Sequence, residues 1–291
     1  MTKLKPRILK ITVSIFFLIL FLAATAVLSQ PMLLKALRAK FKSTDDFIVL
    51  STDPRVRYQE NAKENAIAVQ QILQRSQDSV ELILKSKFVD RVGVYVCSSQ
   101  ETFNEYVFLS KNVRAAVYWG KLFLSPGAFE GGESSLSELT THELTHYLFY
   151  THLGEKSSIE NIPLWFREGL AVFVANGGAA YTHEKDVFHQ ISVKEKEAYL
   201  SGAVDYWFKT KDPRDAVGKT GGANWLLYRV GALFVHYLHD SHPADFEKLI
   251  KLLLSGTEFS RALELSYGKT IDSLLAEFQV NIGNTVPNRK N

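Results

Sequence analysis

The sequence predicts an α+β fold: a small mixed sheet with a long helix, then a mainly helical half, all behind an amino-terminal transmembrane helix. Three observations carry this. Short apolar and β-branched runs fill the stretch from about residue 46 to 130, and longer segments with helical periodicity fill 134 to 286. Ahead of both, Ile11 to Leu28 runs without a single charged side chain. The 291 residues, 46% hydrophobic and 22% charged, suffice for one large domain or two modest ones. That composition excludes a disordered chain and a polytopic membrane protein.

The apolar run, at 1.5 Å per residue, spans roughly 27 Å, close to the thickness of a hydrocarbon core. Lys3, Lys5, Arg7 and Lys10 precede it, and the first 30 residues hold no acid. Residues 1–30 therefore read as a signal anchor, or as a signal peptide if Ala24-Thr25-Ala26 marks a cleavage site. Lys35, Arg38, Lys40 and Lys42 put equal positive charge on the far side, so charge alone does not orient the span. Its likeness to an export signal places the body on the periplasmic or extracellular side, single-pass if anchored and secreted if cleaved. Residues 31–45 form a juxtamembrane linker, of which 31–42 either lies along an anionic lipid surface or makes an ordinary stalk. Residues 46–286 form the folded domain and 287–291 a tail. Without the four leading bases, 30 basic residues face 31 acidic ones. Such a body is no nucleic-acid binder.

Along the domain, Phe47–Ser51 reads as a short strand. Tyr58 to about Lys85 reads as a long polar helix with an apolar stripe at Ala66, Val69, Ile72, Leu73 and Val80. Val92–Cys97 is a strand, and its single cysteine reads as a buried thiol rather than a nucleophile. Val113–Trp119 and Lys121–Leu124 flank Gly120 and suggest a hairpin. Ser134, Ser135 and Ser137 offer N-caps for a helix through Leu139–Leu153 that stops at Gly154. Asn161 offers a cap for the next helix, which has Pro163 in its first turn. Residues 181–222, with His183, His189 and Trp207, read as a surface insertion or a pocket wall.

His142-Glu143-Leu144-Thr145-His146 is an HExxH pattern. Residues four apart on a helix differ by 40° in azimuth, so both imidazoles face one side and can share a metal. Glu143, one step round, is near enough to reach a metal-bound water. Zinc suits neutral imidazoles and an open coordination position. A third ligand decides the matter. His152 would complete a metzincin pattern, but that pattern needs a glycine where Phe149 stands, and the only methionines are Met1 and Met32. In a continuing helix His152 points about 240° away from His146 and misses the ion. Glu168 is the better candidate, because a lone acid inside the apolar run Trp165–Ala175 is costly to bury unless paired or metal-bound. Gly169 beside it would let two helices approach closely.

His142–His146, followed by Pro163-x-Trp165-x-x-Glu168-Gly169-x-Ala171, resembles the gluzincin metallopeptidases, and most closely the peptidase-MA-like families. The likeness covers about Ser134 to Ala175 and extends more weakly through Tyr228–Leu238. It implies a zincin-like helical half, with His142, His146 and Glu168 as ligands of one Zn2+ ion and Glu143 as general base. It also implies a Tyr that hydrogen-bonds the oxyanion, which matches Tyr228, with Arg229 a weaker candidate for a substrate carboxylate. An edge strand would line the cleft, so Ala115–Trp119 or Lys121–Leu124 would pair with substrate backbone, bringing in Tyr118 and Trp119. The expectation is a membrane-tethered zinc peptidase acting on peptides or proteins. Two alternatives stand beside it: an inert zinc-binding scaffold, and a hydrolase of a non-peptide amide.

Overall fold

The computed structural model describes residues 31–107, 113–178, 207–208 and 224–285, with Ile15. Among the described residues no helix is long and apolar enough to cross a membrane. Apart from Ile15, the expected transmembrane helix over Ile11–Leu28 lies outside them, as do the tail 287–291 and most of the 181–222 insertion.

The chain is mixed α+β with a small mixed sheet, as expected. Helix α1 (Pro31–Phe41) leads into β1 (Ile48–Val49) and β2 (Val56–Tyr58). Helix α2 (Lys63–Leu84), β3 (Val94–Val96) and α3 (Gln100–Tyr106) follow, then β4 (Ala115–Tyr118) and β5 (Lys121–Leu124). The strand order is β1-β2-β3-β5-β4, antiparallel at both ends and parallel between. The helical half comprises α4 (Gly132–Leu153), α5 (Glu155–Asn161), α6 (Leu164–Ala175), α7 (Asn224–Ser241), α8 (Pro243–Leu254), α9 (Phe259–Tyr267) and α10 (Ile271–Thr285).

The pleat sorts the sheet's side chains between two cores. Val94, Val96, Leu122, Leu124, Ala115 and Val117 belong to the main core, shared with α2 and α4. Tyr95, Cys97, Phe123 and Ala116 join Phe103 and Tyr106 of α3 in a second, aromatic core. There the Tyr106 and Phe123 rings stack at 5.1 Å. The expected stripe of α2 is buried throughout, because five apolar side chains at helical spacing leave one face that must leave water. Cys97 is buried, and burial pushes its thiol pKa up to about 12, so it is no nucleophile.

Several boundaries differ from expectation. The long helix begins at Lys63, and Tyr58 instead ends β2, whose Val56-Arg57-Tyr58 pairs in parallel with Val94-Tyr95-Val96. A three-residue strand is too short to show period-two alternation, and its long-range partner is what makes it one. The strand read over Phe47–Ser51 shrinks to Ile48–Val49 at the sheet's edge. Helix α4 starts at Gly132 with no side-chain cap, so Ser134, Ser135 and Ser137 lie inside it. Asn161 closes α5, and Pro163 itself is the N-cap of α6.

Helices α6 and α7 meet through two glycines. A Cβ on Gly169 would stand 2.4 Å from the Gly231 carbonyl carbon, and one on Gly231 would stand 2.8 Å from the Trp165 carbonyl oxygen. The backbones touch where only glycine fits. On the same helix, Trp165 is buried among Phe166, Phe208, Phe234 and Phe259, with ring centroids 4.9 to 5.5 Å away. Gly169→Ala should therefore force the helices apart and cost about 1–3 kcal/mol. A urea midpoint equal to that of the wild type would show that this crossing tolerates a methyl group.

Candidate metal centre

Helix α4 carries the first two donors. Its Leu136, Leu144, Tyr147 and Leu148 are buried in the main core, which turns His142 and His146 towards α6. Phe149 is buried and helical, so the chain does not turn there. His152 consequently ends elsewhere, with its Nε2 2.9 Å from the Lys87 carbonyl oxygen. Helix α6 supplies the third donor. Among the described residues, His142, His146 and Glu168 form the one group of three potential ligands whose donor atoms lie within 4.8 Å of each other.

The spacing of these side chains is compatible with a shared metal ion. Glu168 Oε2 lies 3.4 Å from His142 Nε2 and 3.5 Å from His146 Nε2. A charge-assisted N–H···O bond is shorter, about 2.7–2.9 Å. Donors bound at about 2.0–2.1 Å on a tetrahedral ion stand roughly 3.3–3.4 Å apart, which matches. Both imidazoles aim the same nitrogen at one oxygen, with ring centroids 5.0 Å apart and planes at 83°. Two imidazoles and a carboxylate are the donor chemistry that zinc accepts.

The electrostatics follow from burial and from this crowding. Burial alone would raise the Glu168 pKa, but the imidazoles of His146 and His142 outweigh it and hold the carboxyl well below its ordinary range. His142 is pulled the other way: burial lowers its pKa, yet Glu168 and Glu143 together raise it. Glu143, only 9% exposed, is raised mainly by burial, which both imidazoles partly offset. The Val117 backbone amide nearby offsets a little more of that rise.

Val117 lies on β4, the outermost strand of that end of the sheet. The Ser125 amide bonds the Arg114 carbonyl, so the alternating antiparallel ladder leaves Ala115 and Val117 facing the free edge. Of the two strands expected to line the site, β4 is therefore the edge. Strand β5 is internal, held between β3 and β4, and presents no free backbone. Trp119 and Gly120 form the hairpin turn, with φ of 51° and 69°. Tyr147 Oη on α4 donates to the Gly120 carbonyl at 2.7 Å and ties the turn to the metal-site helix.

Tyr228 comes from α7 and joins the cluster. Its ring lies 6.5 Å from that of His142 at 24°, and its hydroxyl reaches Glu168. The Glu168 charge, then burial, then Glu143 push its pKa up, so it stays a proton donor. Arg229 is half-buried and sits about 100° further round α7. Tyr118 is half-buried, and burial and Glu155 raise its pKa to about 12. Trp119 donates its backbone N–H to Glu155 Oε2 at 3.1 Å and leaves its ring 42% exposed. His183 and His189 lie outside the described residues.

Three further neighbours were given no place at the site by the sequence. Tyr150 faces His146 as Tyr228 faces His142, at 6.4 Å and 20°. Its place four residues after His146 is the signal that would have found it. Arg167 and Ser158 border a cavity of about 10 Å³ against His146, and Arg167 Nε and Ser158 Oγ have no hydrogen-bond partner. No local pattern in the sequence brings those two together. Comparison with protein-family models, with curated proteins and with solved structures found no match to this chain.

Purified protein should carry about one zinc ion per chain by metal analysis. Glu168→Gln should keep the fold and weaken zinc by more than the roughly 10–100-fold that losing a second-shell partner costs. Equal zinc affinity in the variant would remove Glu168 from the ligand set.

Proposed function

We propose that the protein is a zinc-dependent peptidase of gluzincin type, with a zincin-like helical half, acting on peptides or protein segments. The observation that carries this reading is the convergence of His142, His146 and Glu168, with donor atoms within 4.8 Å of one another, and with Glu143 next to His142 on the same helix. A zinc ion held by these three would polarise a scissile carbonyl and acidify a water molecule.

The chain's own groups supply the rest. Glu143 is the general base: it takes the proton from the attacking water and passes it to the departing amine. The Tyr228 hydroxyl donates a hydrogen bond to the oxygen on which negative charge develops. The free edge of β4 offers the Ala115 and Val117 backbone groups to an extended substrate, which gives affinity without demanding a particular sequence. The charge-free run ahead of Pro31 supports a membrane-tethered domain on the exported side, or a secreted one if the leader is removed.

Glu143→Gln should abolish hydrolysis of a peptide library while retaining zinc. A wild type that is equally silent would leave the zinc-binding scaffold as the better description. Tyr228→Phe should lower kcat more than it raises KM, by roughly one to three orders of magnitude. Unchanged kinetics would reduce Tyr228 to packing.

A further inference from the structure

Helix α1 is amphipathic the wrong way round for a helix that only packs on its own domain. Among its described residues only Ala39 is buried; the helix packs on α3, where Lys42 pairs with Glu105 at 2.6 Å and lies over the Tyr106 ring at 5.0 Å. Leu37 and Phe41 each stand two residues from Ala39, about 160° round the helix, so they point away from the body. They are 38% and 77% exposed. Arg38 and Lys40, both exposed, flank this outward apolar ridge on its two sides.

The ridge is continued by another element. Lys40 Nζ lies 5.7 Å from the Phe41 ring and 5.2 Å from the Trp119 ring. This brings the exposed tip of the β4–β5 hairpin beside the end of α1. Two of the nearby acids are engaged elsewhere: Glu105 by Lys42, and Glu155 by the Trp119 amide. Aromatic rings with long basic side chains around them suit the boundary between headgroups and acyl chains, where the rings sink and the amines stay with anionic groups. The charge-free run Ile11–Leu28 lies ahead of α1 in the sequence, and as the proposed anchor it would deliver this end of the domain to a bilayer.

We propose that Leu37, Phe41 and Trp119, framed by Arg38 and Lys40, form a docking surface for an anionic lipid bilayer. The docked domain holds the β4 edge, and with it the metal centre, close to the membrane plane. This inference rests on α1 and the hairpin and does not need the peptidase reading.

The test uses the full chain reconstituted in phosphatidylcholine vesicles, with and without phosphatidylglycerol, and reads quenching of tryptophan fluorescence by brominated lipid. Trp165 and Trp207 are buried, Trp225 is common to both proteins, and comparison with Trp119→Phe isolates the contribution of Trp119. Quenching should be stronger on anionic vesicles, and Trp119→Phe should abolish that excess. Arg38→Gln with Lys40→Gln should return it to the level on neutral vesicles. Equal quenching of wild type and Trp119→Phe would overturn the proposal. Equal quenching on neutral and anionic vesicles would overturn its charge matching. A Trp119 shielded from both brominated lipid and aqueous iodide would overturn it in favour of a protein covering the patch.

Discussion

A carboxylate set into an apolar helix has few stable solutions. Glu168 has Trp165, Phe166, Leu170 and Ala171 for near neighbours in sequence, all buried, and their burial works against its charge. The imidazoles of α4 supply what the charge needs, but only if α6 is held at the right depth. The glycine crossing with α7 sets that depth from one side, and the aromatic cluster around Trp165 fixes the other. The same crossing brings Tyr228, three residues before Gly231, over His142. One close backbone contact thus positions both the third donor and the hydroxyl beside it.

The sheet is as much a holder as a core. One of its faces meets α2 and α4, and the other closes over an aromatic cluster with α3. Tyr147 links α4 to the hairpin turn, and Lys42 and Tyr106 link α1 and the segment after it to α3. The amino-terminal helix is therefore attached to the same block that carries the site, rather than standing apart as a bare stalk.

What could be read from the sequence was whatever periodicity or chemistry writes locally. The α2 stripe, the HExxH helix, Glu168 in its apolar run and the need for Gly169 are all visible over a few turns. The strand order is not, because β3 pairs with β5 across α3 and β4, and no local pattern encodes that partner. The same blindness hid β2 and misjudged β5 as a possible edge. Serines suggested a later start for α4, since capping preference is a weak rule when packing fixes the helix's first turn. Helix α3 went unread, although its Ser99 capping box is a local signal. The outward-facing apolar ridge of α1 became visible only once Ala39 identified which side is covered.

Val117 has a single amide proton, and it lies on the side of the Glu143 carboxylate. An extended guest laid along β4 competes for that proton. If the guest wins, the carboxylate loses a stabilising donor and grips its own proton more firmly. In the proposed hydrolysis, occupancy of the edge would then sharpen Glu143 at the moment it is wanted, and an empty groove would leave it blunted.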